Sequence, residues 1–134
     1  MAAPALSGID HVHVMVADRA AATGWYRRVL GFEVMPEYAH WAEGGGPLTL
    51  ADAAGSVHLA LFERPPMPTR STVALRTSAA GLLAWQQHLT HELGRAPALE
   101  DHVQSLSLYF SDPDGNPYEI TTYEAGAARA ALGR

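Results

Sequence analysis

From Ile9 to Val16 the chain alternates, with Val12, Val14 and Val16 on one side and His11, His13 and Met15 on the other. A period of two residues predicts a half-buried strand whose second face is polar. Asp18 follows as an N-cap for a helix over Arg19 to Leu30, and Gly31 stands where a left-handed residue would end it. Strand patterns recur at Phe32 to Met35, Leu48 to Ala51 and Ser56 to Phe62, divided by Gly44-Gly45-Gly46 and by Asp52 to Gly55. The first half therefore reads βαβββ.

The stretch Arg64-Pro65-Pro66-Met67-Pro68 is stiff and poor in backbone donors, which predicts a connector rather than a central strand. Beyond it the pattern begins again. Thr72 to Thr77 reads as a strand, Ser78 caps a helix running to Leu93, and Gly94 repeats the stop supplied by Gly31. Strands near Ala98 to Glu100, Ser105 to Phe110 and Pro117 to Thr122 complete a second βαβββ module. Trp25, Tyr26 and Trp85 occupy equivalent helical places and predict packing between helix and sheet. Before the last strand, Pro113 presets φ, Asp112 can accept backbone N–H bonds and Gly115 can take a positive φ, so Asp112 to Gly115 predicts a tight reversal.

The expectation is one α+β domain over residues 1–134. Its first module covers about 8–63, a connector about 64–70, a second module about 71–123 and a tail 124–134, which either forms a short helix or stays loose.

Composition narrows the chemistry. With 134 residues, 48% of them hydrophobic, one core can form without disulfides. The absence of cysteine excludes thiolate ligands and thiol catalysis, leaving oxygen and imidazole donors. A formal charge of -5 with scattered basic residues argues against a nucleic-acid or anionic-membrane surface. Met1 to Ser7 lacks a basic region followed by a signal-length apolar run, and no later run reaches membrane-spanning length. The chain is therefore expected to be soluble and cytoplasmic. The glycines at 44–46 lack the Lys and helix start of a phosphate loop, and no serine stands in a nucleophile elbow.

The segments His11-Val-His-Val-Met-Val-Ala-Asp18, Trp25-Tyr26, Leu30-Gly31-Phe32 and Ser107-Leu-Tyr-Phe-Ser-Asp-Pro-Asp-Gly-Asn-Pro-Tyr-Glu119 resemble the vicinal-oxygen-chelate superfamily of glyoxalases, bleomycin-resistance proteins and dioxygenases. The resemblance implies paired βαβββ modules forming an open mixed-sheet barrel around a small-molecule cavity, commonly in a homodimer. It also implies a divalent metal (Fe²⁺, Mn²⁺, Zn²⁺ or Ni²⁺), with His11 and Glu119 on the positions where metal-dependent members carry ligands.

The internal repeat offers a separate test of convergence. Matching first strands pairs His11 with Thr72, and matching last strands pairs His58 with Glu119 at the same interval. Three of these four positions can ligate. Thr72 departs from the histidine usual in such enzymes, and His58 would restore two imidazoles and one carboxylate. Each candidate also has a plainer reading: His11 and His58 as cavity histidines satisfied by hydrogen bonds, and Glu119 as a paired interior carboxylate.

His13 shares the face of His11 and is a candidate proton shuttle, or else a pocket wall. Ser105, Ser107 and Tyr109 alternate with apolar residues and present hydroxyls on one face, as substrate-orienting groups or as a cross-strand ladder. His102 in the preceding loop is a further substrate-binding candidate, whereas His88 and His91 are expected on the surface of a helix. Two functions follow. One is a metal-dependent lyase, isomerase or dioxygenase in which Glu119 or a cavity histidine moves protons. The other, favoured by Thr72, is metal-free sequestration of a small molecule.

Overall fold

The computed structural model describes residues 3–67 and 69–134. Met1, Ala2 and Pro68, which the sequence assigned to the start and the connector, lie outside the described residues. The chain divides into two compact units, Met1–Pro65 and Pro66–Arg134.

In the first unit, β1 (Val12–Val16), α1 (Arg19–Trp25), β2 (Glu33–Val34), β3 (Leu48–Ala51) and β4 (His58–Glu63) form a four-stranded mixed sheet in the order β1-β4-β3-β2. The cap at Asp18 forms as expected, its carboxylate accepting from Ala21 N–H at 3.0 Å, and Gly31 is left-handed at φ 72°. The helix departs from expectation after Trp25, where Tyr26–Leu30 winds as one π turn, with Tyr26, Val29 and Leu30 still buried. Val14, Val16, Leu50, Leu59 and Leu61 supply the apolar side of the sheet. The alternating strand was expected from Ile9, but the ladder begins at Val12. Its partner β4 starts only at His58, so Ile9 has no strand beside it and is 88% exposed. Ser56 and Val57 likewise fall outside β4, because the Ser56 hydroxyl and the Val57 N–H both bond the Asp52 carboxylate. Between β2 and β3, residues Pro36–Gly45 form short 3-10 turns kinked at Glu43 and Gly44. The glycine loop expected there is thus partly ordered.

The second unit repeats the topology: β5 (Val73–Arg76), α2 (Ala79–Leu93), β6 (Ala98–Asp101), β7 (Leu106–Ser111) and β8 (Pro117–Thr122) form a sheet in the order β5-β8-β7-β6. Ser78 accepts from Gly81 N–H at 3.0 Å, and Gly94 ends α2 at φ 73°. The tail resolves in favour of helix, as α3 (Ala125–Ala131), which packs on α2 and β7 through the buried Ala125 and Ala128. Leu82, Leu89, Leu106, Leu108, Tyr118 and Ile120 complete this core. Trp25 and Tyr26 are buried as anticipated, whereas Trp85 is half exposed and lies edge-on to His88.

The fold is therefore α+β with two four-stranded mixed sheets of identical strand order. Each sheet is open. Among the described residues, no helix is long and apolar enough to cross a membrane.

Candidate functional site

Strand alternation assigns each sheet two faces. In the first unit, Val12↔Leu59 and Val14↔Leu61 point to the core side, while His13↔Ala60 and Met15↔Phe62 point to the other. His11 and His58 immediately precede the first recorded pair and share the face of His13. The His11 and His13 rings stack with centroids 4.9 Å apart, and their Nε2 atoms are separated by 3.0 Å. His13 also lies against Phe62, centroid to centroid 4.8 Å. Asp10 Oδ2 accepts from His11 Nδ1 at 2.7 Å. The His58 ring turns elsewhere, its Nε2 lying 3.1 Å from the Gly55 carbonyl oxygen.

In the second unit the corresponding face carries oxygen chemistry. Register sets Ser107 beside Thr121 and Tyr109 beside Glu119. Ser107, fully buried, donates to Glu119 Oε2 at 2.7 Å and contacts Thr121 Oγ1 at 2.9 Å. Glu119 is half buried at the centre of the sheet, with β5 on one side and β7 on the other. Burial, followed by the negative charge of Glu119, pushes the Tyr109 phenol above its ordinary pKa and keeps it a neutral hydroxyl. That hydroxyl sits 2.9 Å from His102 Nε2, whose other neighbour is Glu100 Oε2 at 3.8 Å. Ser105 precedes β7 rather than opening it, because its carbonyl closes a loop with His102 N–H at 2.8 Å. Tyr109 and Ser111 also line an open cleft of about 450 Å³ with Leu93, Arg95, Pro97 and Ala98.

The turn that aims Glu119 behaves as its sequence predicts. Asp112, buried, accepts from Asp114 N–H at 2.9 Å and Asn116 N–H at 2.8 Å, while Gly115 takes φ 85°. With the reversal fixed there, β8 starts at Pro117 and Glu119 takes the face opposite Tyr118 and Ile120.

The repeat interval is corrected in one respect. Val12 pairs with Leu59 in the first unit, but Val73 pairs with Tyr118 in the second, so the second ladder is slipped by two residues relative to the repeat. Glu119 consequently stands beside Ala74, not Thr72. A two-residue slip preserves the face of every side chain, so His58 and Glu119 stay on corresponding faces of their own sheets while their equivalence in register is lost.

Within each unit, then, the candidates form two groups: His11 with His13, and Ser107 with Glu119, Tyr109 and His102. Among the described residues, neither unit gathers three His, Asp or Glu side chains into a metal cluster of its own. Sequence reasoning missed Asp10, Thr121 and Glu100. Asp10 adjoins His11, and Thr121 follows Glu119 at the same-face spacing of two, so the signals were local and present.

The description "Glyoxalase/Bleomycin resistance protein/Dioxygenase superfamily" matches residues 8–120. Among solved structures, a mutant of the genomically encoded fosfomycin resistance protein FosX from Listeria monocytogenes, complexed with Mn(II) and 1S,2S-dihydroxypropylphosphonic acid, has a TM-score of 0.70. It is 16% identical, with 96% of this chain and 99% of that chain covered. A putative glyoxalase family protein from Bacillus anthracis gives a TM-score of 0.67 at 22% identity, covering 90% and 98%. A glyoxalase/dioxygenase from Nostoc punctiforme gives 0.67 at 20% identity, covering 91% and 95%. No curated protein matches.

Proposed function

Because the chain belongs to the Glyoxalase/Bleomycin resistance protein/Dioxygenase superfamily, we propose that it is a divalent-metal-dependent enzyme acting on a small oxygen-rich substrate, by lyase, isomerase or extradiol-type chemistry. The observation that carries this reading is Glu119: a half-buried carboxylate on the sheet face opposite the buried Tyr118 and Ile120, with one oxygen held by the buried Ser107. A carboxylate so oriented can ligate a cation or accept a substrate proton. Ligand roles fall to His11 and His58 in the first unit and to Glu119 in the second, and a bound ion would supply Lewis-acid stabilisation of negative charge on substrate oxygen. Ser107 orients the Glu119 carboxylate. Tyr109, kept neutral, and His102 beside it donate hydrogen bonds to substrate, and Ser105 lies at the same end of the face. A homodimer in the cytoplasm is part of the same proposal. The FosX structure holding Mn(II) supports a metal on this fold.

Elemental analysis of protein purified without a histidine tag tests it, repeated on Glu119→Ala. Wild type should carry or take up one equivalent of Mn²⁺, Fe²⁺, Ni²⁺ or Zn²⁺, and the variant should lose it. Wild type that binds none of the four removes the basis for an enzyme. The second reading, metal-free sequestration, then stands, favoured by Thr72 at a position where a histidine would ligate.

A further inference from the structure

We infer that His13, rather than His58, supplies the second imidazole, making His11 and His13 a two-nitrogen clamp for a six-coordinate divalent ion. The inference rests on the metal-dependent reading above and specifies which residues of the first unit serve it.

Three observations lead there. The first is a distance. His11 Nε2 and His13 Nε2 are 3.0 Å apart. Two imidazole nitrogens bound at about 2.1 Å lie about 3.0 Å apart when they subtend a right angle at the ion, and about 3.4 Å apart at the tetrahedral angle. The spacing is that of an N–H···N hydrogen bond, and it also fits neighbouring positions of an octahedron, the geometry that suits Mn²⁺, Fe²⁺ or Ni²⁺.

The second is the state of the nitrogens. A carboxylate only accepts, so Asp10 Oδ2 at 2.7 Å makes Nδ1 of His11 the N–H donor and leaves its Nε2 as a lone pair in the neutral ring. A carboxylate behind the remote nitrogen is also the support that metal-bound histidines commonly have. His58 is held differently: its Nε2 lies 3.1 Å from the Gly55 carbonyl oxygen, which ties the ring to that turn.

The third is placement. His11 and His13 are two residues apart on one strand, which puts them on one face, and Phe62 at 4.8 Å braces the His13 ring toward His11. Both histidines are exposed, so an ion can reach them. Binding moves the His13 proton from Nε2 to Nδ1, a change of tautomer with no change in charge.

The full-length chain, without a histidine tag, would be titrated with Co²⁺ as the probe and followed by calorimetry and visible absorption, alongside His13→Gln, His58→Gln and Glu119→Gln. Wild type should show the weak visible bands of six-coordinate Co²⁺ and two exchangeable, paramagnetically shifted imidazole N–H signals by NMR. His13→Gln should remove one of those signals and weaken binding by more than the roughly 10–100-fold that loss of a supporting partner costs. His58→Gln should keep both signals and bind within about threefold of wild type, below half of a tenfold step in free energy. Because His13 is exposed, Gln there should leave the circular dichroism spectrum and urea midpoint intact. If wild type binds Co²⁺ but His13→Gln keeps both signals, or if His58→Gln is the variant that loses one, this inference is wrong and the metal-dependent reading stands. If wild type binds no Co²⁺, Mn²⁺ or Ni²⁺ at all, the metal-dependent reading falls and takes the clamp with it.

Discussion

The first unit carries imidazoles on its polar sheet face, whereas the second, built on the same strand order, carries hydroxyls and a carboxylate. Their core faces are interchangeable in kind: Leu59 and Leu61 in one, Leu108 and Ile120 in the other, all essentially inaccessible to water. Packing constrains one face of each sheet and leaves the other to chemistry. The comparison teaches that a repeated scaffold can be conserved in topology while its two polar faces specialise, nitrogen donors in one half and oxygen donors in the other.

The largest effects should test whether the cores are equal. Leu59→Ala and Leu108→Ala each remove a fully buried side chain and should each cost about 2–5 kcal/mol in urea unfolding followed by circular dichroism. Matched losses support equivalent cores; a loss in only one variant means that one half carries the stability.

Next come the turns, where the halves differ. Asp112→Ala strips acceptors from two backbone N–H groups in a buried setting and should cost about 1–3 kcal/mol. Asp52, the half-exposed carboxylate of the first unit's turn, bonds Val57 N–H and the Ser56 hydroxyl, and Asp52→Ala should cost about 1 kcal/mol. If Asp52→Ala proves the more damaging, the ranking of the two turns by burial is wrong. The helix caps come third: Asp18→Ala and Ser78→Ala should each cost about 1 kcal/mol, because each removes the acceptor for one first-turn N–H. Unequal costs would break the equivalence of the two module starts.

The smallest effect is confined to the second unit. The side-chain bond from Arg129 and the Val103 N–H hold the Asp101 carboxyl down to about 2. A carboxyl with a depressed folded pKa contributes stability above its unfolded pKa and loses it as pH falls toward the folded value. The tether between β6 and α3 should therefore loosen between about pH 4 and pH 2. Amide exchange in α3 should rise over that window in wild type, and Asp101→Asn should make it insensitive to pH there. Among the described residues the first unit has no helix after β4, so no counterpart of the α3 transition should appear there, although the Asp52 carboxyl in its turn is also held below its ordinary value.

These comparisons also show how much of the site was legible. The polar face of β1 and the reversal at Asp112 to Gly115 are written in local spacing and turn chemistry, which need no tertiary partner to read. The pairing of Ser107 with Glu119 was not, because two residues on neighbouring strands meet only through register. Nor could the repeat interval reveal the two-residue slip, since a slip of two leaves every hydrophobic pattern unchanged.

By itself, then, the sequence determined the two βαβββ modules, their caps at Asp18 and Ser78, their stops at Gly31 and Gly94, and the alternation of β1. All follow from interactions within a few residues of the chain. Tertiary structure decided where each ladder begins and which hydroxyl holds Glu119. It also turned the His58 ring to Gly55, whereas His13 beside His11 already followed from their spacing of two on one strand. Those outcomes depend on what each strand finds beside it, and periodicity carries no record of a neighbour.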